Sequence, residues 1–567
     1  MYQGIGASAG IGIGRVMLVT EKSLDYTPVR VKNISDEVAR YKNALKEFCA
    51  ETQVKADKIA QSLGEKEAEI LQGHILMIQD PYMNGEIEKL ITGGECAEKA
   101  VETICDMFID MFSAADDELT KQRATDVADI KKSIVSILLG VQQVDISTAP
   151  PNTIIVVGDL TPSMTAGINR DNIVGIVTQV GGKASHSAIL ARALEIPAVL
   201  SVPCATQKLT DGMSVIVDGT SGEVIPQPKI EQVEEYTRRK LSYLAEKKAL
   251  ERYIGMPTVT ADNIKVELVG NIGKPQDAPR ILECDGEGVG LFRTEFLFMD
   301  NAEMPTEDEQ FDAYKRVALT MKDKPVIIRT LDIGGDKEIP YMGLDKEDNP
   351  FLGFRAVRFC LQRSDIYKIQ LRALLRASAF GNVKIMIPLV TCVEEVRAVK
   401  ALVAECKAEL DAENRKYNSN VQVGVMMETS AATMIADLLA KEADFFSIGT
   451  NDLTGYTMAV DRGNPRVAYL YSAFNPAVLR SIQHIIKCGL EQNIMVGMCG
   501  EAAADPMLIP LLISFGLSEY SVSATAVLAT RKQISRWSKQ QADEIANKAL
   551  SMTTEAEVVA YLKTVVD

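Results

Sequence analysis

Apolar residues recur at three- and four-residue spacing from about Ser35 to Leu139, with almost no proline in that region. This spacing places apolar side chains along one face of a helix and therefore predicts α-helices. Residues that favour turns interrupt the pattern at Gly64, Pro81, Gly93-Gly94 and Asp116-Asp117. The region is predicted to be an all-α helical bundle of several helices.

The pattern changes from Thr153 to about Val224, where short β-branched runs alternate with glycine turns. This alternation predicts a small α/β domain. Residues 1–20 also mix glycine with short apolar runs, and we expect them to complete its sheet. The charged stretch from about Ile230 to Tyr253 lacks glycine and proline, which predicts an exposed connecting helix.

The rest of the chain contains eight apolar, β-rich segments, most of them separated by helical stretches. Eight strand-then-helix units in a region of this length predict a (β/α)8 TIM barrel. The segments lie near Val266–Val269, Gly288–Leu291, Val326–Arg329, Val383–Ile387, Val421–Met426, Phe445–Ile448, Ile494–Met498 and Ser518–Val522.

Size and composition agree with a multidomain protein. A chain of 567 residues suggests about three or four domains. No apolar run is long enough to span a bilayer and the N-terminus lacks a signal peptide, so we expect no direct membrane insertion. The ten cysteines form no C-x-x-C pair, and reduced thiols in a cytoplasmic protein are the simplest explanation.

The formal net charge of −16 argues against nucleic-acid binding, because a phosphate backbone would be repelled. The same charge is compatible with a basic protein partner.

One of the three histidines, His186, follows a glycine turn and precedes an apolar helical run from Ala188 to Ile196. Gly181 and Gly182 permit the turn, and Ser185 is a good N-cap. An imidazole at a helix start could act as a nucleophile and then carry a phosphate near unpaired N–H groups. A helix-capping or surface histidine is the alternative, and the local chemistry alone favours neither.

Charged residues follow the predicted barrel strands, where the active sites of such barrels lie. Arginines bind phosphate and carboxylate oxygens through paired N–H donors, and magnesium takes carboxylate ligands. Because phosphoryl transfer needs both kinds of group, this pattern indicates phosphoryl transfer. Taken one at a time, these residues could equally be surface salt bridges or solvated acids. The candidates are Arg293, Arg329, Asp332, Lys337, Arg355, Arg358, Glu428, Asn451, Asp452, Arg462, Cys499 and Glu501.

Long motifs in fixed order carry a resemblance to a known family. The loop around His186 and the segment from Leu160 to Ala166 resemble the phosphohistidine domain of the phosphoenolpyruvate-utilising enzymes, where a threonine at the position of Thr165 lies beside the reactive histidine. Five further phrases resemble the barrel of the enzyme I branch of that family, so the resemblance covers essentially the whole chain. These phrases are Gly290–Met299, Arg329–Lys337, Asn349–Ala356, Phe446–Thr454 and Gly497–Glu501.

The resemblance implies a role for each matching residue. His186 would be the phosphorylated nucleophile, and Cys499 would protonate the departing enolate. Glu428 and Asp452 would bind Mg²⁺. The residues that would hold phosphoenolpyruvate are Arg293, Arg329, Lys337, Arg355, Asn451, Asp452 and Arg462.

The resemblance also implies a domain order and partners. A helical domain that binds the histidine phosphocarrier protein HPr would be inserted in the α/β phosphohistidine domain, and a homodimer would form through the barrel. The expected boundaries are 1–20 and 146–228 for the phosphohistidine domain, 21–145 for the helical domain, 229–255 for the linker helix and 256–567 for the barrel. The implied reaction is the first step of the bacterial sugar phosphotransferase system.

Three alternatives are weighed against this interpretation. A dikinase or phosphoenolpyruvate synthase would carry a large N-terminal ATP-binding domain, and no glycine-rich nucleotide loop precedes residue 150. The nitrogen-regulatory form of enzyme I would carry an extra N-terminal sensor domain. A non-catalytic regulatory homologue would be expected to lose at least one of His186, Glu428, Asp452 and Cys499.

The sequence departs from the family pattern at three positions near the predicted site. Gly455 stands where glutamine is usual, and Met427 and Ser430 stand where valine and proline are usual. None of these changes removes a charged group, so we expect the chemistry to survive.

Overall fold

The computed structural model has two compact units, residues 1–247 and 248–567. It describes residues 1–19, 24–62, 65–113, 118–141, 146, 149–160, 164, 168–169, 171–182, 186–299, 301, 303–334, 339–344, 347–461, 464 and 466–566. Within these ranges, no helix is both long and apolar enough to cross a bilayer.

The first unit contains one eight-stranded sheet with the order β1-β8-β7-β3-β4-β5-β6-β2. The N-terminal strand β3 pairs in parallel with β4 and antiparallel with β7, which confirms that the N-terminal segment completes the α/β sheet. The strands are β1 (Tyr2–Gln3), β2 (Ile5–Ser8), β3 (Ile11–Val19), β4 (Thr153–Val157), β5 (Ile173–Thr178), β6 (Ala198–Leu200), β7 (Ser214–Asp218) and β8 (Glu223–Pro226).

The helical bundle is inserted between β3 and β4, as predicted. Its helices are α1 (Ile34–Ser62), α2 (Glu65–Ile78), α3 (Pro81–Thr92), α4 (Ala97–Ser113) and α5 (Glu118–Leu139). Apolar residues at helical spacing form its core, among them Tyr41, Ile87 and Ile130, which are fully buried. Asp80 caps α3 by accepting hydrogen bonds from the backbone of Tyr82 and Met83.

In the part of the chain that the structure describes, further α-helices belong to the α/β sheet or follow it. They lie at His186–Ala193, Ala205–Lys208 and Ile230–Leu250. The last is the helix predicted after the α/β region, and Tyr236 is its only buried residue.

The second unit is a closed barrel of eight parallel strands, which confirms the predicted (β/α)8 fold. Each predicted apolar segment overlaps a strand, and two of them have the same bounds as their strands. The strands are β9 (Glu267–Ile272), β10 (Val289–Arg293), β11 (Val326–Arg329), β12 (Val383–Ile387), β13 (Val423–Met427), β14 (Phe445–Gly449), β15 (Met495–Cys499) and β16 (Glu519–Val522).

Helices surround this barrel and cover its outer face with a large apolar core. The interior has its own small apolar cluster, to which Leu291, Ile327, Met386, Met426 and Phe445 belong. The α-helices lie at Ala278–Glu283, Glu295–Met299, Glu307–Met321, Val357–Gln362, Ser364–Ala377, Val393–Ala412, Ser430–Met434, Ala436–Leu439, Thr450–Met458, Pro476–Glu491, Ile509–Phe515, Val527–Ile534, Lys539–Leu550 and Glu555–Val566.

Candidate active site at the barrel rim

Most of the predicted site residues in the barrel unit lie at the carboxyl ends of its strands. Arg293, Arg329 and Cys499 are the last residues of β10, β11 and β15. Glu428 directly follows β13, and Asp452 lies in the first turn of the helix that follows β14. Arg293 and Cys499 were expected just after their strands, and both strands run slightly further than the sequence pattern indicated.

Arg329 is held by carboxylates on two sides. Its Nη2 donates to Oε1 of Glu295 at 2.7 Å, and its Nη1 lies 3.0 Å from Oδ2 of Asp332. Burial opposes the charge of the guanidinium, but Glu295, Asp332 and Glu428 together raise the pKa of Arg329 above its usual range. The arginine is therefore a fixed, permanently charged group.

Arg355 shares Asp332 with Arg329. Its Nη2 donates to Oδ1 of Asp332 at 2.8 Å and to Oδ2 of Asp452 at 3.4 Å. Its Nη1 lies 3.4 Å from the hydroxyl of Tyr456. One buried carboxylate, Asp332, thus orients two arginines at once.

Unusual backbone conformations accompany the close approach of the Arg355 loop to the loop that follows β11. Ala356 has a φ of 53° and Gly334 a φ of 97°. A Cβ on Gly334 would stand 2.6 Å from Cβ of Arg355, so the close approach of the two loops requires glycine there.

Glu428 is a buried carboxyl group among other charges. Its Oε1 accepts a hydrogen bond from the backbone N–H of Leu389 at 2.7 Å. Burial, followed by repulsion from Asp452 and Asp332, raises its pKa to about 8, although Arg329 and Arg355 oppose the rise. Three carboxylates close together with two fixed arginines make this part of the rim highly charged.

The carboxylate oxygens of Glu428 and Asp452 are of the kind that a hard divalent cation takes as ligands. A hard cation would offset the repulsion that raises the pKa of Glu428, and magnesium usually takes one or two carboxylates and completes its coordination with water. Asp452 is about one quarter exposed and so remains accessible to such an ion. Among the residues that the structure describes, no group of three histidine, cysteine or acidic side chains is arranged to hold a metal.

Cys499 is a buried thiol below this charged rim. Its Sγ donates to the carbonyl oxygen of Ile448 at 3.5 Å, and the residue is 2% exposed. Burial, together with the charge of Glu428, raises the pKa of Cys499 to about 12. The thiol is therefore protonated at neutral pH, as a proton donor must be.

Among the described residues predicted to hold phosphoenolpyruvate, Arg293 and Asn451 are exposed. The guanidinium of Arg293 lies 4.9 Å from the ring centroid of Phe296. Neither side chain is buried among the charges described above. The predicted residues Lys337 and Arg462 lie outside the described residues.

The first unit contains the backbone of the predicted nucleophile. A helix begins at His186, after the turn at Gly181, whose φ is 113°. The hydroxyl of Ser187 donates to Oδ1 of Asp159 at 3.2 Å, which connects the start of the helix to the segment that follows β4. The side chain of His186 and the residues Thr165 and Ser185 lie outside the described set.

In each unit, residues outside the predicted set contact or support predicted ones. Glu295 orients Arg329, Tyr456 contacts Arg355, and Asp159 fixes the helix of His186. Glu295 could have been suspected from the sequence, because it is a charged residue within an otherwise apolar phrase two positions after Arg293.

Two positions that depart from the family pattern lie beside Tyr456. The hydroxyl of Ser430 donates to the backbone oxygen of Tyr456 at 3.0 Å. A Cβ on Gly455 would meet only the backbone oxygen of Val460, at 3.3 Å. Met427 is fully buried in β13.

Comparison with known protein families gives matches along most of the chain. The PEP-binding domain of PEP-utilising enzymes matches residues 247–539, their N-terminal domain matches residues 3–123, and their mobile domain matches residues 149–222.

Curated proteins named phosphoenolpyruvate-protein phosphotransferase match the chain over nearly its whole length. The protein from Bacillus subtilis (strain 168) is 47% identical over 565 residues, which are 99% of each chain. The protein from Priestia megaterium is 45% identical over 562 residues, 99% of this chain and 98% of its own. The Listeria monocytogenes protein is 43% identical, with the same coverage of both chains.

Proposed function

Because this chain belongs to the family of phosphoenolpyruvate-utilising enzymes, we propose that it transfers the phosphoryl group of phosphoenolpyruvate to His186 and then to the histidine phosphocarrier protein HPr. This is the first step of the bacterial sugar phosphotransferase system. The observation that carries the proposal is the group of fixed arginines and carboxylates at the barrel rim, in a chain that matches phosphotransferases over its full length.

The arginines would bind phosphoenolpyruvate. Arg329 and Arg355 already have fixed positions and each has a buried Nε without a partner among the described residues. Arginine binds phosphate and carboxylate oxygens through paired N–H donors, so these groups suit both ends of the substrate. Arg293 and Asn451 are exposed at the same rim and would complete the contacts, together with Lys337 and Arg462.

The enzymes of this family use a metal ion, and we propose that the ion here is Mg²⁺, held by Glu428 and Asp452. When bound, magnesium neutralises charge that develops on phosphoryl oxygens. The repulsion among Glu428, Asp452 and Asp332 supports this assignment.

His186 would attack phosphorus in line with the bond to the enol oxygen. The P–O bond breaks, a P–N bond forms, and enolpyruvate leaves. The start of a helix is a favourable place for the resulting phosphate, since backbone N–H groups of the first turn have no helical partner. The tie between Ser187 and Asp159 would fix the orientation of this helix.

Cys499 would then protonate the methylene carbon of enolpyruvate to give pyruvate. Its raised pKa keeps the proton on sulfur until a strong carbon base is present. The resulting thiolate must recover a proton before the next turnover.

The carrier would dock on the helical bundle. Large apolar side chains are exposed on α2, α3 and α4: Leu76 is 71% exposed, Tyr82 63%, Met111 54% and Met107 45%. The ring of Tyr82 lies edge-on to Phe108 of α4 with centroids 6.3 Å apart, so α3 and α4 present a continuous apolar area. Exposed apolar patches of this kind mark protein-binding surfaces.

We also propose a homodimer through the barrel unit. The proposal rests on the family resemblance and is supported by large apolar side chains exposed on that unit, such as Met434 and Tyr469, which are 77% and 75% exposed. Sedimentation of the purified protein, with and without phosphoenolpyruvate and magnesium, would test it.

The direct test mixes the purified protein with phosphoenolpyruvate labelled on phosphorus and with magnesium. We expect an acid-labile, base-stable protein phosphate that is absent from His186→Ala. Transfer of this label to added HPr would confirm the second half of the reaction. Labelling by ATP alone would contradict the proposal and favour a dikinase.

A further inference from the structure

The interior of the barrel contains a carboxyl group that the reaction described above does not use. Glu519 is the first residue of β16 and is 0% exposed. Neither of its side-chain oxygens has a hydrogen-bond partner among the described residues. Burying a carboxyl group in this way is costly, so its retention inside the barrel suggests a role.

Strand register places Glu519 and Ser447 on either side of Gly497. Gly497 of β15 pairs with Ser447 of β14 on one side and with Glu519 of β16 on the other. A Cβ on Gly497 would stand 2.6 Å from Oε1 of Glu519, so the carboxyl group occupies the space that a side chain at Gly497 would fill. The Oγ of Ser447 is also buried, and Ser447 is close enough to Cys499 to act on its thiol through a side-chain hydrogen bond.

Cys499 lies on the same strand and the same side as Gly497, two residues nearer the rim. Two residues of a strand span about 7 Å. Glu519 and Ser447 therefore lie in one layer of the barrel interior, and Cys499 lies in the next layer towards the rim.

We propose that Glu519 is a proton reservoir that reloads the thiol of Cys499 after each turnover, with the hydroxyl of Ser447 as the intermediate. The inference rests on the proposed function of Cys499. After the thiol has protonated enolpyruvate, Ser447 gives its hydroxyl proton to the thiolate and takes the carboxyl proton of Glu519. An S–H bond forms, the O–H bond of Glu519 breaks, and Ser447 is unchanged at the end.

The charged groups around Glu519 suit this role. Burial, followed by repulsion from Glu267 of β9, raises the pKa of Glu519 to about 8, and Lys384 of β12 opposes the rise. Cys499 is the titratable group on the rim side. Glu267 is exposed and Lys384 is half-buried, so the amino-terminal end of the barrel offers solvent protons to recharge the carboxylate.

Rapid-mixing kinetics of Glu519→Gln test the proposal, with phosphoenolpyruvate, magnesium and excess HPr. Glutamine has the shape of glutamate but no acidic proton. We expect one equivalent of pyruvate per site at the wild-type rate, followed by a steady state at least about tenfold slower. Ser447→Ala should show the same burst and slow phase.

The pH profile gives a second readout. The steady-state rate of the wild-type protein should fall as the pH rises through about 8, where Glu519 loses its proton. The steady-state rate of Glu519→Gln should not show this fall with rising pH.

Tyr520→Phe is the matched control. Tyr520 is the next residue of β16 and is fully buried, and its hydroxyl also has no hydrogen-bond partner among the described residues, but it belongs to the outer core. Tyr520→Phe should form pyruvate at the wild-type steady-state rate. A wild-type steady-state rate of pyruvate formation in Glu519→Gln would overturn the proposal. So would a fall of both the burst rate and the steady-state rate in Glu519→Gln and in Tyr520→Phe alike, because that result would indicate a general structural effect. Failure of the wild-type protein itself to form a phosphohistidine would instead contradict the proposed function.

Discussion

A Cβ on Gly449 would stand 2.5 Å from Oε2 of Glu428, so the absence of a side chain at Gly449 leaves the room that the carboxylate occupies. Gly449 ends β14, the strand beside the one that Glu428 follows. Its φ of −85° is open to any residue, so the need for glycine is steric.

Gly449→Ala should displace the carboxylate of Glu428 and weaken binding of the metal. Disturbing the surroundings of a metal ligand typically costs about 10- to 100-fold in metal affinity. We expect the magnesium concentration for half-maximal phosphorylation to rise by about that factor. Titration of magnesium in the labelling reaction would measure it.

Gly85→Ala is the control for this variant, because a Cβ on Gly85 in α3 would meet nothing within 4 Å. It should leave the magnesium requirement unchanged. An unchanged requirement in Gly449→Ala as well would mean that Glu428 does not hold the metal.

Asp332→Asn should impair two arginines at once, because Asp332 contacts both Arg329 and Arg355. Loss of charge-assisted hydrogen bonds should lower kcat/KM for phosphoenolpyruvate by about 10- to 100-fold. Steady-state kinetics would measure the change. The double variant Asp332→Asn/Arg355→Lys should lose less than the product of the two single effects, because both act on one contact. Independent effects would contradict the shared role of Asp332.

Cys499→Ala should separate phosphorylation from protonation. Labelling of the protein by phosphoenolpyruvate should persist, since the thiol is not needed to break the P–O bond. Formation of pyruvate should fall, because enolpyruvate would lose its proton donor. Parallel assays of protein label and pyruvate would check this, and equal losses in both would contradict the assigned role.

Glu519→Gln should stabilise the protein increasingly as the pH rises. The pKa of Glu519 is raised from 4.5 to about 8, so the folded protein keeps a proton that the unfolded chain loses above pH 4.5. The unfolded state therefore gains relative stability as the pH rises towards about 8, by up to a few kcal/mol. Glutamine removes this dependence.

The measurement is Tm of Glu519→Gln and of the wild-type protein between about pH 5 and pH 9, followed by circular dichroism. The difference in Tm should move in favour of the variant as the pH rises. A difference that does not depend on pH would mean that the carboxyl group is not buried in its acid form.

The architecture was accessible from the sequence because buried parallel strands are continuous apolar runs. Val326–Arg329 and Val383–Ile387 were predicted with the same bounds that the structure gives. In such barrels the carboxyl ends of all eight strands meet at one edge, where the active site lies. The positions of Arg329, Glu428 and Cys499 after predicted strands therefore identified them as rim residues.

Other residues could not be found in this way because their partners are distant in the chain. Tyr456 meets Arg355 across 101 positions, and Ser447 and Glu519 share a layer of the barrel interior only through their common pairing with Gly497. Glu519 also follows a loop, where an acidic residue is usually solvated, and only barrel closure buries it.

The most direct test of the account is the location of the phosphoryl group. The chain has three histidines, His74, His186 and His484, and tandem mass spectrometry under alkaline conditions can tell them apart. After reaction with phosphoenolpyruvate and magnesium, we expect the phosphoryl group on His186 and its loss when HPr is added. A phosphoryl group on His74 or His484, or no phosphohistidine at all, would contradict the account.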